Sequence, residues 1–116
     1  MDTNNNALLA EELRRKYQRD LNCLVDSDRN LRKRSLVKLQ RKLIESSEET
    51  EKYGKLVFEI FFVEYLQKPI LDLLSDSLEK CRETSCTILT EIVNTTLSND
   101  TLIQLSSKLF PIISSR

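Results

Sequence analysis

The chain has 116 residues, eighteen basic and eighteen acidic side chains that cancel to a net charge of zero, no histidine, one glycine and two prolines. That length holds one domain with a modest core, and so few turn-forming residues exclude a many-stranded β architecture. The charge is unevenly spread: residues 1–45 carry eleven Lys/Arg against seven Asp/Glu and residues 46–116 reverse the ratio, a dipole that steers partners more than it sets a fold.

Residues 1–5 read as a polar, disordered N-terminus with neither the basic n-region nor the apolar h-region of a secretory signal. No stretch approaches the roughly 18 apolar residues of a membrane span. From about Asn6 to Val25, Leu9, Leu13, Tyr17, Leu21 and Leu24 recur at spacings of three and four, one face of a helix. Asp26-Ser27-Asp28 interrupts, and Asp28 is a good N-cap for a second helix carrying Leu31, Leu36, Leu39 and Leu43 with the small Ser35. Residues 45–50 read as a loop or frayed helix start.

The apolar run from Tyr53 to Leu66 reads as helix, although Phe58–Val63 alone passes for a strand. Pro69 breaks or kinks it. Ile70–Leu74 completes that helix, Ser75-Asp76-Ser77 turns, and Leu78 to about Leu97 forms the next, with Leu78, Cys81, Ser85, Ile88, Leu89 and Ile92 as its buried face. Five rings, Tyr53, Phe58, Phe61, Phe62 and Tyr65, exceed what one helix face buries, leaving some for a further repeat or a partner. Asn99-Asp100 caps a last helix with Leu102, Leu105 and Leu109, and Pro111-Ile112-Ile113 opens a unit that Arg116 cuts short. The expectation is a fragment whose final apolar residues lack their cover.

One periodicity organises these elements. Leu21, Leu24, Asp26, Arg32, Ser35, Leu39 and Leu43 return fifty residues later as Leu71, Leu74, Asp76, Arg82, Ser85, Leu89 and Val93. A repeat of this length marks an α-solenoid, in which each unit buries its apolar face only by stacking on a neighbour. The segment Pro69-Ile70-Leu71-Asp72-Leu73-Leu74-Ser75-Asp76, followed by Cys81-Arg82-Glu83-Thr84-Ser85-Cys86 and Leu89, resembles the HEAT repeat. Leu24-Val25-Asp26 with Leu31-Arg32 and Ser35 matches more loosely, without the proline. The resemblance implies an all-α, right-handed α-solenoid of helical hairpins, with units at about 6–45 and 52–98 and an incomplete one at 99–116. Within HEAT proteins, 26–34 and 74–83 resemble the cytosolic factors that preassemble axonemal dynein arms. That implies a cytoplasmic scaffold with dynein arm subunits and chaperones as partners. A HEAT segment of another scaffold or transport adaptor is the alternative.

Two groups of residues are candidates for function. Asp26, Arg32, Asp76 and Arg82 place a turn carboxylate six residues before an arginine in each unit. A cap by the acid and a charge-assisted bond from the arginine to a neighbouring unit make a structural ladder, as HEAT proteins use. Arg29, Arg32, Lys33, Arg34, Lys38, Arg41 and Lys42 fall in fourteen residues without an acid, and Arg34, Lys38, Arg41 and Lys42 share a helical stripe. A solvated face is the commonest reading of such a stripe, an acidic protein partner the next, and nucleic acid through residues 29–42 the third, since no aromatics interleave it. No catalytic, cofactor or metal site is expected. There is no histidine base, phosphate-binding glycine loop or nucleophile elbow, and Cys23, Cys81 and Cys86 form no CxxC pair and read as reduced thiols. A small-molecule substrate is likewise not expected. Asn94-Thr95-Thr96 and Asn99-Asp100-Thr101 match the glycosylation pattern and read as idle.

Overall fold

The computed structural model describes residues 3–114, and among them there is no strand. Helix α1 spans Thr3–Lys16 and α2 spans Gln18–Cys23; α3 spans Arg29–Leu39 and runs on through a π turn at Gln40–Glu45. A short α4 covers Glu48–Tyr53. Helix α5, Lys55–Phe61, passes through a second π turn, Phe62–Leu66, into α6, Gln67–Leu73. Helices α7, Glu79–Thr95, and α8, Asn99–Ser114, follow.

The packing repeats. Helix α2 turns back onto α3 as α6 turns back onto α7, and the two hairpins stack with α1 along α5 and α3 along α7. Each hairpin alone would leave an apolar face in water; stacking merges them into one core that includes Leu13, Leu36, Leu39, Phe58, Phe61, Phe62, Ile88 and Ile92. The result is an elongated helical solenoid of 42 × 29 × 21 Å.

Local chemistry explains the joints. The Asp28 carboxylate accepts a bond of 2.9 Å from the Asn30 amide, the N-cap expected for α3. Gly54 joins α4 to α5 at φ 92° and ψ 161°, a conformation that only glycine adopts without strain. Pro69 does not end its helix: it follows directly after the π turn, whose wider winding accommodates a residue without an amide donor.

Several expectations are corrected. Thr3–Asn5, expected to be disordered, already belong to α1, and Ala10 and Leu13, both fully buried, hold the helix down. The single helix read over 6–25 is broken at Tyr17, whose φ of −109° and ψ of 15° leave the helical region. Of the two readings of residues 45–50, a loop or a frayed helix start, residues 48–50 take the second and open α4. All five rings find cover, because α1 and α4 both pack on α5: Phe58, Phe61 and Phe62 are buried, and Tyr53 and Tyr65 pack against the core. Leu105, expected to lack cover, is buried, while Leu102 and Leu109 are half-buried. The side chains of Ile112 and Ile113, together with Met1, Asp2, Ser115 and Arg116, lie outside the described residues.

Candidate functional site

The two units are joined at their turns. Arg32 Nε donates to Asp76 Oδ1 at 2.9 Å and Arg32 Nη2 donates to Oδ2 at 3.3 Å, a two-pronged bond across 44 residues of sequence. Its remaining nitrogen, Nη1, donates to the Asp26 and Ser27 carbonyls at 2.8 and 3.1 Å, closing the turn of its own unit. Asp76 Oδ2 also accepts from the Leu78 amide at 3.0 Å. Burial resists ionisation of Asp76, but the Leu78 amide and the Arg32 guanidinium outweigh it and hold the carboxyl below its ordinary value.

The second unit repeats half of this arrangement. Arg82 Nη1 donates to the Asp76 and Ser77 carbonyls at 2.8 and 3.3 Å, matching Arg32 bond for bond within its turn. Asp26 differs from Asp76: its Oδ1 accepts from the Asp28 amide at 2.8 Å and meets no arginine among the described residues. The structure thus brings Arg32 to Asp76 and places Asp26 and Arg82 at opposite ends of that contact.

A second set of polar links, absent from the sequence reading, ties α1 and α2 to their neighbours. Glu11 accepts from Arg14 and, at 2.9 Å, from the Tyr65 hydroxyl; these two donors hold its carboxyl at about 2. The Arg14 guanidinium lies over the Tyr65 ring, 5.6 Å from its centroid. Glu49, buried at 3% exposure, accepts from the Tyr17 hydroxyl and pairs with Lys16 Nζ at 2.7 Å. Burial opposes the Glu49 charge, yet Lys16 and Tyr17 prevail and lower its pKa. Burial first, then the Glu49 carboxylate, pushes the Tyr17 phenol above its ordinary value. No local motif announces partners 32 and 54 residues apart; a polar tip on an otherwise apolar ladder position is the one available hint.

The basic stripe is exposed at all four positions, Arg34, Lys38, Arg41 and Lys42. It is not uniform. Lys38 Nζ pairs with Asp20 at 3.2 Å, whereas Arg34, Arg41 and Lys42 make no ion pair among the described residues. The π turn also begins at Gln40, so its wider i→i+5 winding alters the angular spacing of Arg41 and Lys42 from the regular one. Cys23, Cys81 and Cys86 are free thiols. Among the described residues no cluster of three His, Cys, Asp or Glu is placed to hold a metal ion, and no helix is long and apolar enough to cross a membrane.

The family described as dynein axonemal assembly factor 5-like, TPR repeats, matches residues 23–116. The dynein axonemal assembly factor 5 of Xenopus laevis is 40% identical over 76 residues, 66% of this chain, and the chain spans only 8% of that relative's length. No solved structure matches. The family's description speaks of TPR repeats where the residue pattern resembles HEAT; both are helix pairs that bury their apolar faces by stacking. With the family match running over residues 23–116, and so over both turns and the Arg32–Asp76 lock between them, this chain belongs to the dynein axonemal assembly factor 5-like repeat family.

Proposed function

We propose that this chain is the helical-repeat part of a cytoplasmic factor for preassembly of axonemal dynein arms, acting as a scaffold for protein partners and not by catalysis. The observation that carries the reading is the family match over residues 23–116, joined by the 40% identity to a protein named as a dynein axonemal assembly factor. In this reading Arg32 and Asp76 fix the register of two units, with Asp26 and Arg82 as the corresponding groups on either side. The cations of Arg34, Lys38, Arg41 and Lys42 then form the surface that acidic segments of dynein arm subunits or chaperones meet. Arg34, Arg41 and Lys42, which make no ion pair among the described residues, favour this use, since free surface cations speed encounter with acidic partners and disfavour basic ones.

The test is affinity purification of the tagged chain from ciliating cells. Dynein heavy chains and chaperones should co-purify, and Arg34→Glu with Arg41→Glu should reduce their recovery without loss of helical signal. Recovery of neither class by the unmodified chain would overturn the reading.

A further inference from the structure

Helix α8 brings Lys108 beside the start of α6, and a hollow of about 460 Å³ lies there. Val63 and Leu71 give it an apolar wall, and Gln67 is its buried polar member, only 3% exposed. An amide is costly to bury unless its hydrogen-bonding groups are used. Gln67 Oε1 accepts from Lys108 Nζ at 3.0 Å. A lysine only donates, so the oxygen must be the atom that faces it, which fixes the orientation of the amide. The Gln67 Nε2 donor makes no hydrogen bond among the described residues, and no side-chain nitrogen among them is sealed off without a partner. Its protons are therefore left accessible in the hollow that Gln67 lines.

The charge beside it is also unmet. Lys108 makes no ion pair among the described residues, and its ammonium has two protons beyond the one given to Gln67. Of the other charged residues that border the hollow, Lys68 and Asp72 pair with each other at 3.4 Å, and Glu64 is exposed without a cation among the described residues. The first unit shows what such donors do. Gln67 stands fifty residues after Tyr17, and both are buried. The Tyr17 hydroxyl and the Lys16 ammonium converge on the Glu49 carboxylate. Gln67 and Lys108 are likewise a buried donor and a lysine side by side, but no carboxylate among the described residues accepts from either.

We infer that this hollow takes one glutamate side chain of a partner protein, whose carboxylate accepts from Gln67 Nε2 and Lys108 Nζ while its methylenes lie on Val63 and Leu71. An ionised acceptor is favoured because one of the two donors is a cation, and charge-assisted bonds are the stronger ones. The apolar wall calls for an aliphatic stem, which a bare inorganic anion lacks. The rim carboxylate of Glu64 repels a second acid, so the site suits a lone glutamate between neutral neighbours. A protein segment can also cover α6 and α8 around the hollow, where a small acid reaches only its floor. The inference rests on the scaffold reading for the existence of a protein partner. It adds a second contact point, on α6 and α8, apart from the basic stripe of α3 and its π turn.

Nitrogen–proton NMR titration of the 116-residue chain tests it, read at the side-chain amide pair of Gln67, with a blocked peptide of one glutamate flanked by two alanines on each side. The comparison probes are the same peptide with glutamine, butyrate, and inorganic phosphate. The glutamate peptide should shift the Gln67 pair and bind about tenfold more tightly than each comparison probe. Lys108→Met keeps the aliphatic stem of an exposed residue and should weaken the peptide about tenfold. Gln67→Met removes the second donor and should do the same; if that buried change disturbs the fold, Lys108→Met alone decides. Equal binding of the glutamine peptide would show that no carboxylate is recognised, and equal binding of phosphate that any anion serves. Butyrate as tight as the peptide would make the hollow a small-acid site, and indifference to Lys108→Met would place the contact elsewhere. Each of these results overturns the proposal. If the Gln67 pair does not move while dynein heavy chains still co-purify, the hollow falls alone; the opposite result removes only the assembly reading.

Discussion

Arg32 reaches Asp76 with two guanidinium nitrogens, at 2.9 and 3.3 Å, while its third closes the turn of its own unit. Both side chains are mostly buried, at 15% and 10% exposure, so this bond is less screened than a surface ion pair. Removing Arg32 leaves a mostly buried carboxylate that has lost its guanidinium and keeps the Leu78 amide. Arg32→Ala should cost about 1.5–3 kcal/mol, the range for hydrogen bonds to charged groups. Arg82→Ala, which loses only turn bonds, should cost less. Urea melts of both variants, with a double-mutant cycle on Arg32 and Asp76, measure the coupling. Equal costs at Arg32 and Arg82 would remove the inter-unit lock from the account.

Acid should loosen the contact of α1 with the second π turn, where Tyr65 meets Glu11. The Glu11 carboxyl is held at about 2, from an ordinary 4.5, by Arg14 and Tyr65, so the unfolded chain binds this proton more readily than the folded one. Stability from the group is fully present above the unfolded value and is lost as pH falls from about 5 toward 2. Melting temperatures measured across that window should fall less steeply in Glu11→Gln than in the unmodified chain. Parallel curves would show that Glu11 does not carry the acid response.

Tyr17 supplies the buried Glu49 with its hydroxyl donor, and Lys16 supplies a half-exposed ammonium. Tyr17→Phe keeps the ring and removes only the donor, leaving a buried carboxylate short of a partner, at a cost of about 1–3 kcal/mol. Lys16→Ala should cost less, because the half-exposed ammonium is partly screened by solvent and water can take its place beside Glu49. Denaturant unfolding of the two variants decides the order, and a larger loss at Lys16 would reverse the assignment.

Gly54 is a matter of backbone alone. Nothing lies within 4 Å of a Cβ built on it, yet its φ is +92°. Gly54→Ala should therefore destabilise by about 1–3 kcal/mol through strain in a region reserved for glycine, with no steric clash. A neutral result in urea melts would mean that the α4–α5 joint relaxes freely.

Much of this architecture was legible from residue spacing. The fifty-residue echo of leucines, the Asp/Arg turn signature and the helical ladders all depend on periods of 3.6 and on turn chemistry, which are local properties of a chain. Asp28 as a cap and Cys81, Ser85, Ile88, Leu89 and Ile92 as a buried face follow from the same periodicity. The π turns at Gln40–Glu45 and Phe62–Leu66 carry no such signature, because they accommodate helices that must stay packed against neighbours over their whole length. Tertiary structure alone decided that Arg32 meets Asp76 and not Asp26, that Glu49 is buried under Tyr17, and that Lys38 is neutralised by Asp20 while Arg34 and Arg41 are not. These are pairings between elements brought together by stacking, and a charge read along one helix does not reveal what the next helix sets against it.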